Sequence, residues 1–192
     1  PQSATRSQRF RPFSRSCQWL CIIIVSILLT VGIHPQPVRS VLRPEMPDLT
    51  LPLSTRGAQI LDAQGKPILL HGVNWFGIET ETHAPHGLWA RDYKDMLAQI
   101  HELGYNFIRL PYSIQSLRSE TLTGIDYAIG DNKDLEGKTP LQVMDTIIQE
   151  AERQHLMILL DSHRLNDQRI PELWYGDGFT EADWIDTWTL LA

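Results

Sequence analysis

Two charged or titratable groups stand where apolar runs end. Arg109 lies in Asn106-Phe107-Ile108-Arg109-Leu110-Pro111-Tyr112, and His163 closes Leu156 to Leu160 through Asp161-Ser162-His163-Arg164. Both occupy the first polar rim after a short buried strand, a position from which side chains of successive strands converge on a common site. Grouped charged residues of this kind serve acid–base and electrostatic chemistry. Spacing alone leaves open a structural arginine paired with a carboxylate and a histidine held by a backbone carbonyl. Trp75, Trp89 and Trp174 lie in or near the same rim loops, with Tyr112 at the strand end. Their faces suit sugar rings, although a large aromatic in a loop also commonly covers core.

Metal and cofactor chemistry finds little support. His83-Ala84-Pro85-His86 cannot form a regular two-histidine helical face because of Pro85, and no third and fourth ligand follow at a familiar spacing. Asp131-Asn132-Lys133-Asp134-Leu135-Glu136 puts Lys133 and Leu135 where a calcium loop needs oxygen ligands. Neither a phosphate-binding glycine loop nor a Gly-x-Ser-x-Gly elbow is present, so no metal and no cofactor is expected.

The elements that must position Arg109 and His163 alternate. Ala58 to Leu61 and Lys66 to Leu70 read as a hairpin around Asp62-Ala63-Gln64-Gly65. Leu69 to Phe76 reads as a first parallel strand, and residues 78–91 as a long loop. Tyr93, Met96, Leu97, Ile100 and Leu103 recur at helical spacing, closed by Gly104. The next strand is short: Pro111 forbids it from continuing as a central one, which puts Arg109 at its junction with a loop. Residues 114–138 read as a polar excursion. Thr139 caps a second helix with Pro140 at its first position and Met144, Ile147, Ile148 and Ala151 on one face. Leu156 to Leu160 is a third strand. Thr180 and Asp183 then form a capping box for a helix presenting Trp184, Ile185, Trp188 and Leu191. Strands apolar on both faces and separated by helices define an α/β protein with a parallel sheet. The expected architecture is the N-terminal portion of a (β/α)8 TIM barrel, about three βα units plus an N-terminal hairpin, with Phe107, Ile108 and Ile158 facing the barrel interior.

The ends carry other information. Residues 1–40 hold five arginines and no Asp or Glu, so the net charge of −6 over 192 residues divides into +5 there and −11 afterwards. An acidic body argues against nucleic acid as a partner. Trp19 to Ile33 is an almost unbroken apolar run, short of the ~20 residues a spanning helix prefers, which points to export with membrane anchoring as the alternative. Residues 1–40 are therefore expected to be an export signal or N-terminal anchor, residues 41–53 a proline-rich linker, and residues 54–192 the folded domain of a secreted or anchored protein. Cys17 and Cys21 fall in or beside the apolar segment, so the body cannot use disulfides and must be stabilised by its core.

Five runs in order carry a resemblance: His71 to Thr80, His86-Gly87-Leu88-Trp89-Ala90-Arg91-Asp92-Tyr93, Gly104 to Tyr112, Leu141 to Asp145, and Ile158 to Arg164. Over roughly residues 55–192 the chain resembles the N-terminal part of family five glycoside hydrolases, above all secreted bacterial endo-β-1,4-glucanases. The resemblance implies an eight-stranded β/α barrel that hydrolyses β-glycosidic bonds with retention of configuration. It assigns Arg109 to supporting the nucleophile, His163 to lining the catalytic subsite, and Trp89 to stacking on a glucose unit on the non-reducing side. Retaining hydrolysis needs two carboxyl groups about 5 Å apart. In the family these are the Glu of an Asn-Glu-Pro after strand four and a Glu ending strand seven. This sequence has no Asn-Glu pair and reaches only a third strand. The expectation is a truncated, inactive polypeptide whose parent acts on β-glucan. The alternatives are activity on mannan or another β-glycan, and a non-catalytic carbohydrate-binding relic.

Overall fold

A computed structural model describes residues 50–192. The expected export or anchor segment, both cysteines and most of the expected linker lie outside the described residues. Among those described, no helix is long and apolar enough to cross a membrane.

Strands β1 (Ser54–Arg56), β2 (Gln59–Leu61) and β3 (Pro67–Ile68) form an antiparallel sheet. The expected hairpin is thus β2–β3, extended by β1 across a turn at Gly57. Strands β4 (Gly72–Asn74), β5 (Phe107–Ser113) and β6 (Met157–Arg164) make a second sheet, parallel throughout, with β5 central. Helix α1 (Tyr93–Glu102) connects β4 to β5, α2 (Ile114–Leu117) follows β5, α3 (Pro140–Arg153) connects it to β6, and α4 (Glu181–Leu191) comes last.

The helix limits follow from local chemistry. Asp92 caps α1 by accepting from the Lys94 and Asp95 amides, and Gly104 follows the helix at φ +86°. Thr139 with Gln142, and Thr180 with Asp183, form reciprocal capping boxes. Leu103 and Ile185 leave their expected faces: they are 65% and 52% exposed, whereas Trp188 and Leu191 pack on the core.

Register decides the two faces of the parallel sheet, because alternate residues of a strand point to opposite sides. Ile108, Leu110 and Tyr112 are fully buried with Leu97, Val143, Met144 and Ile147 of the helices. Ile108 pairs with Ile158. Ile108 and Ile158 therefore face the helical layer, which corrects the expectation that they face the opposite side. That other face carries Asn74 of β4, Phe107, Arg109 and Pro111 of β5, and Leu159, Asp161 and His163 of β6. Leu159 is 52% exposed, so β6 is not buried on both faces as its apolar run suggested.

Pro111 does not end its strand. The Arg109 carbonyl accepts from the Trp75 amide, so Arg109 points its backbone groups toward β4, and Pro111, two residues on, does the same. The register of β4 stops at Asn74, opposite Arg109, so the donor that proline lacks has no partner to lose. Arg109 and His163 are consequently inside strands rather than at their junctions with loops.

Candidate active site

Asn74, Arg109, Asp161 and His163 share the sheet face turned away from the helices and meet there. Arg109 Nη1 donates to Asn74 Oδ1 at 3.3 Å; Arg109 Nη2 forms an ion pair with Asp161 Oδ2 and lies 3.1 Å from His163 Nδ1. His163 Nδ1 is also 3.0 Å from Asp161 Oδ2. The guanidinium can only donate and the ionised carboxylate can only accept. Nδ1 of His163 is thus placed to accept from Arg109 or to donate to Asp161, and Nε2 is the ring atom outside this cluster. The side chains of Arg109, Asp161 and His163 are each about a quarter to a third exposed, so the group is partly desolvated yet reachable. Of the two structural alternatives left open by spacing, the arginine does pair with a carboxylate, but the histidine joins the same pair rather than a lone carbonyl.

The loop after β4, residues 75–92, is held by its own polar groups. Trp75 Nε1 donates to His86 O at 2.8 Å, the Gly77 amide to the buried Glu79 carboxylate at 2.7 Å, and the Thr80 and Thr82 hydroxyls to Gly77 O. A side chain at Gly77, φ +134°, would run into Ala84 O at 2.3 Å. His86 stacks edge-on between Phe76 and Trp89, at ring-centroid distances of 4.6 and 5.2 Å. Asn132, fully buried, reaches the carbonyl of Leu88, the residue before Trp89. Its Nδ2, with two N–H groups, lies within hydrogen-bond distance of the carbonyls of Leu88, Arg91 and Asp126, and its Oδ1 accepts from the Tyr93 amide.

The expected sugar-facing aromatics divide. Trp89 and Trp174 are about half exposed, with Trp174 edge-on to Tyr175. Trp75 and Tyr112 are 5% and 0% exposed: both belong to the core and offer no ring face to a sugar, which corrects their assignment. Tyr112 lies against Trp188, and burial pushes its hydroxyl up to about 12, a nearby Ser162 hydroxyl working in the other direction. The histidines weighed as metal ligands are engaged elsewhere, His86 with the Thr80 and Thr82 hydroxyls and His83 with Thr121 O and Asp167. Among the described residues no three His, Cys, Asp or Glu side chains are grouped to hold a metal ion.

Sequence reasoning missed Asn74 and Asp161 as partners of Arg109. The available signal was register parity, since each lies on the same face as Arg109 once the three strands are aligned in parallel.

A polar cluster across three parallel strands, with exposed tryptophans in the following loops, defines the class: an α/β protein whose site is built on strands and rimmed by aromatic loops. The sequence profile of Cellulase (glycosyl hydrolase family 5) matches residues 61–192, and the chain belongs to that family. It is 44% identical over 139 residues to an endoglucanase of Paenibacillus polymyxa, covering 72% of this chain and 34% of that protein. It is 47% identical over 128 residues to the major extracellular endoglucanase of Xanthomonas campestris pv. campestris, covering 66% and 26%. This chain therefore spans between a quarter and about a third of those relatives. The catalytic domain of the Xanthomonas enzyme superposes with a TM-score of 0.67 at 42% identity, over 73% of this chain and 40% of that one. The endocellulase of Pyrococcus horikoshii, solved with cellotetraose, gives 0.67 at 43% identity over 76% and 40%. Both neighbours are cellulases, so the family's architecture is a TIM barrel.

Proposed function

We propose that this chain is the N-terminal part of a secreted, retaining endo-β-1,4-glucanase, and that residues 54–192 supply the first three βα units of its barrel. The observation that carries this is the Asn74–Arg109–Asp161–His163 cluster on one face of the parallel sheet, in a chain of this family. Arg109 holds a fixed positive charge and unused donor capacity beside the place where a nucleophilic carboxylate would work, which favours the ionised, attacking form. Asp161 aims the guanidinium, and His163 presents Nε2 to the same space. Trp89 and Trp174, each about half exposed, offer ring faces to pyranose units. The two carboxyl groups that break the bond belong to later strands in this reading. Residues 1–40 deliver the protein across a membrane, and residues 41–53 link that segment to the barrel.

The test is reducing-sugar release by the complete protein on carboxymethylcellulose, β-mannan and mixed-linkage β-glucan. The expected result is highest activity on the cellulosic substrate, with endo-type products of retained anomeric configuration. A preference for mannan would replace the substrate and keep the mechanism; absence of hydrolysis on every β-glycan would overturn the proposal.

A further inference from the structure

Behind the strand ends, three separate loops meet at one buried ionic contact. His83, in the loop after β4, is 8% exposed and has a left-handed backbone at φ +52°. Its Nε2 is 3.0 Å from Asp167 Oδ2 in the segment after β6, and its Nδ1 is 3.1 Å from the Thr121 carbonyl in the segment after β5. Gln115 Nε2 adds a hydrogen bond of 2.9 Å to the same Asp167 oxygen, and Gln168 Nε2 binds Oδ1 at 2.8 Å. The same strip touches Trp89. The Thr123 amide donates to Thr82 O at 2.8 Å, and the Trp89 ring edge lies over Gly124, where an added Cβ would be 3.7 Å from Cε3.

From these contacts we infer that His83 and Asp167 form a protonation-dependent clamp that seats Trp89, with His83 as a positioning residue for substrate. A carbonyl oxygen and a carboxylate oxygen only accept, so both ring nitrogens of His83 must donate for both bonds to exist. Only the imidazolium has two N–H groups. On loss of one proton the remaining N–H stays with the Asp167 carboxylate, the stronger acceptor, so the Thr121 carbonyl faces a bare nitrogen and the strip 119–124 loses a tie to the loop that carries Trp89. The charged and titratable groups facing His83 are few. From the β6 side they are Asp167 itself and Arg164, whose Nη1 reaches Asp167 O at 3.4 Å; the β5 side presents Gln115 and Thr121. Burial works to raise the Asp167 carboxyl, but hydrogen bonds from Gln168 and His83 outweigh it and hold the group below the usual carboxylate range. Both bonds of the clamp therefore exist only while Asp167 is ionised and both ring nitrogens of His83 carry protons.

The seating role rests on the glucanase reading; the double donation does not. The test uses the complete protein with 15N-labelled histidine. Expected is a His83 ring with both nitrogens at protonated shifts at pH 5.5, changing to one as pH rises, with amide exchange in residues 119–124 quickening over the same range. A neutral single-tautomer ring at pH 5.5, or exchange that ignores the ring's titration, overturns the clamp. On cellulosic substrate, His83→Gln, which cannot span both acceptors, is expected to raise KM about tenfold with kcat within about twofold. Asp167→Asn can donate its amide to a neutral ring, so it is expected to restore slow exchange and low KM at pH 8.5. An unchanged KM in His83→Gln, with the NMR result as expected, removes the seating role and keeps the clamp. Failure of all hydrolysis in the parent refutes the glucanase reading without touching the NMR result.

Discussion

Replacing Asn132 by alanine tests the claim that a buried amide, rather than apolar packing, fixes the backbone on either side of Trp89. The side chain is fully buried and makes four contacts: to Leu88 O at 2.9 Å, Arg91 O at 3.0 Å, Asp126 O at 3.2 Å and from Tyr93 N at 3.1 Å. Two of these groups keep another partner, since Leu88 O also accepts from the Asp126 amide and Asp126 O from the Ile129 amide. The Tyr93 amide is left buried and unpaired, while the carbonyl of Arg91, an exposed residue, can turn to water. At about 1–3 kcal/mol for a buried orphaned group, the loss is about 1–3 kcal/mol. Against a total stability of about 5–15 kcal/mol this is substantial, and it corresponds to a fall in Tm of roughly 5 °C. Thermal unfolding of the complete protein by circular dichroism measures it. Asn132→Asp is the sharper variant, because it keeps the size and the acceptor for Tyr93 but turns a carboxylate oxygen toward three carbonyls. A Tm within about 2 °C of wild type for either variant would refute the reasoning, since a satisfied amide hub cannot be removed at so small a cost.

Arg109→Lys keeps the charge but not the fork that reaches Asn74, Asp161 and His163 together, and is expected to lower kcat about a hundredfold with a smaller change in KM, measured by steady-state hydrolysis. Trp89→Ala is expected to weaken cellotetraose binding by about 1–3 kcal/mol with little change in Tm; Trp75→Ala, in the core, should instead cost about 3–5 kcal/mol of stability, and calorimetry of binding and unfolding separates the two. A polypeptide of residues 53–192 is expected to hydrolyse no β-glycan and to unfold without a sharp transition, because Leu159 and the outer edge of β6 stay uncovered. A cooperative melt with slow amide exchange in residues 105–110 would show that the three-unit segment folds alone.

Features set by neighbouring residues were legible in the sequence, and features set by register were not. Thr139 with Gln142, Thr180 with Asp183, and Gly104 act within a turn or two of chain, so the helix limits follow from residue type. Pro111 was misread because the consequence of its missing donor depends on where β4 ends. Trp75 and Tyr112 carry the same aromatic character as Trp89 and Trp174, and only the packing of helices on the sheet decides which pair is buried. Arg109 and His163 were visible as polar residues after apolar runs. Their meeting with Asn74 and Asp161 depends on strand parity, which no single run displays. The short strand β1 and helix α2 have too little periodicity to stand out.

A common physical problem explains why buried polar side chains cluster in the rim loops. Residues 75–92 and 119–135 have little regular ladder to satisfy their backbone groups, yet several of them, among them Ile78, Glu79, His83, Leu88 and Asn132, are buried. Glu79 accepts from the Gly77 amide, Asn132 serves four backbone groups, and His83 with Asp167 ties three loops together. Each arrangement tolerates little displacement, because an unmade bond there is costly while a made one adds only modestly to stability. Loop geometry around Trp89 is thus set largely by hydrogen-bond satisfaction, and the ring itself sits edge-on to His86 beside Gly124. Apolar packing alone would permit the ring to slide. If the chain is part of a glucanase as proposed, stacking at this one loop would set which bond of the polysaccharide lies near Arg109 and His163.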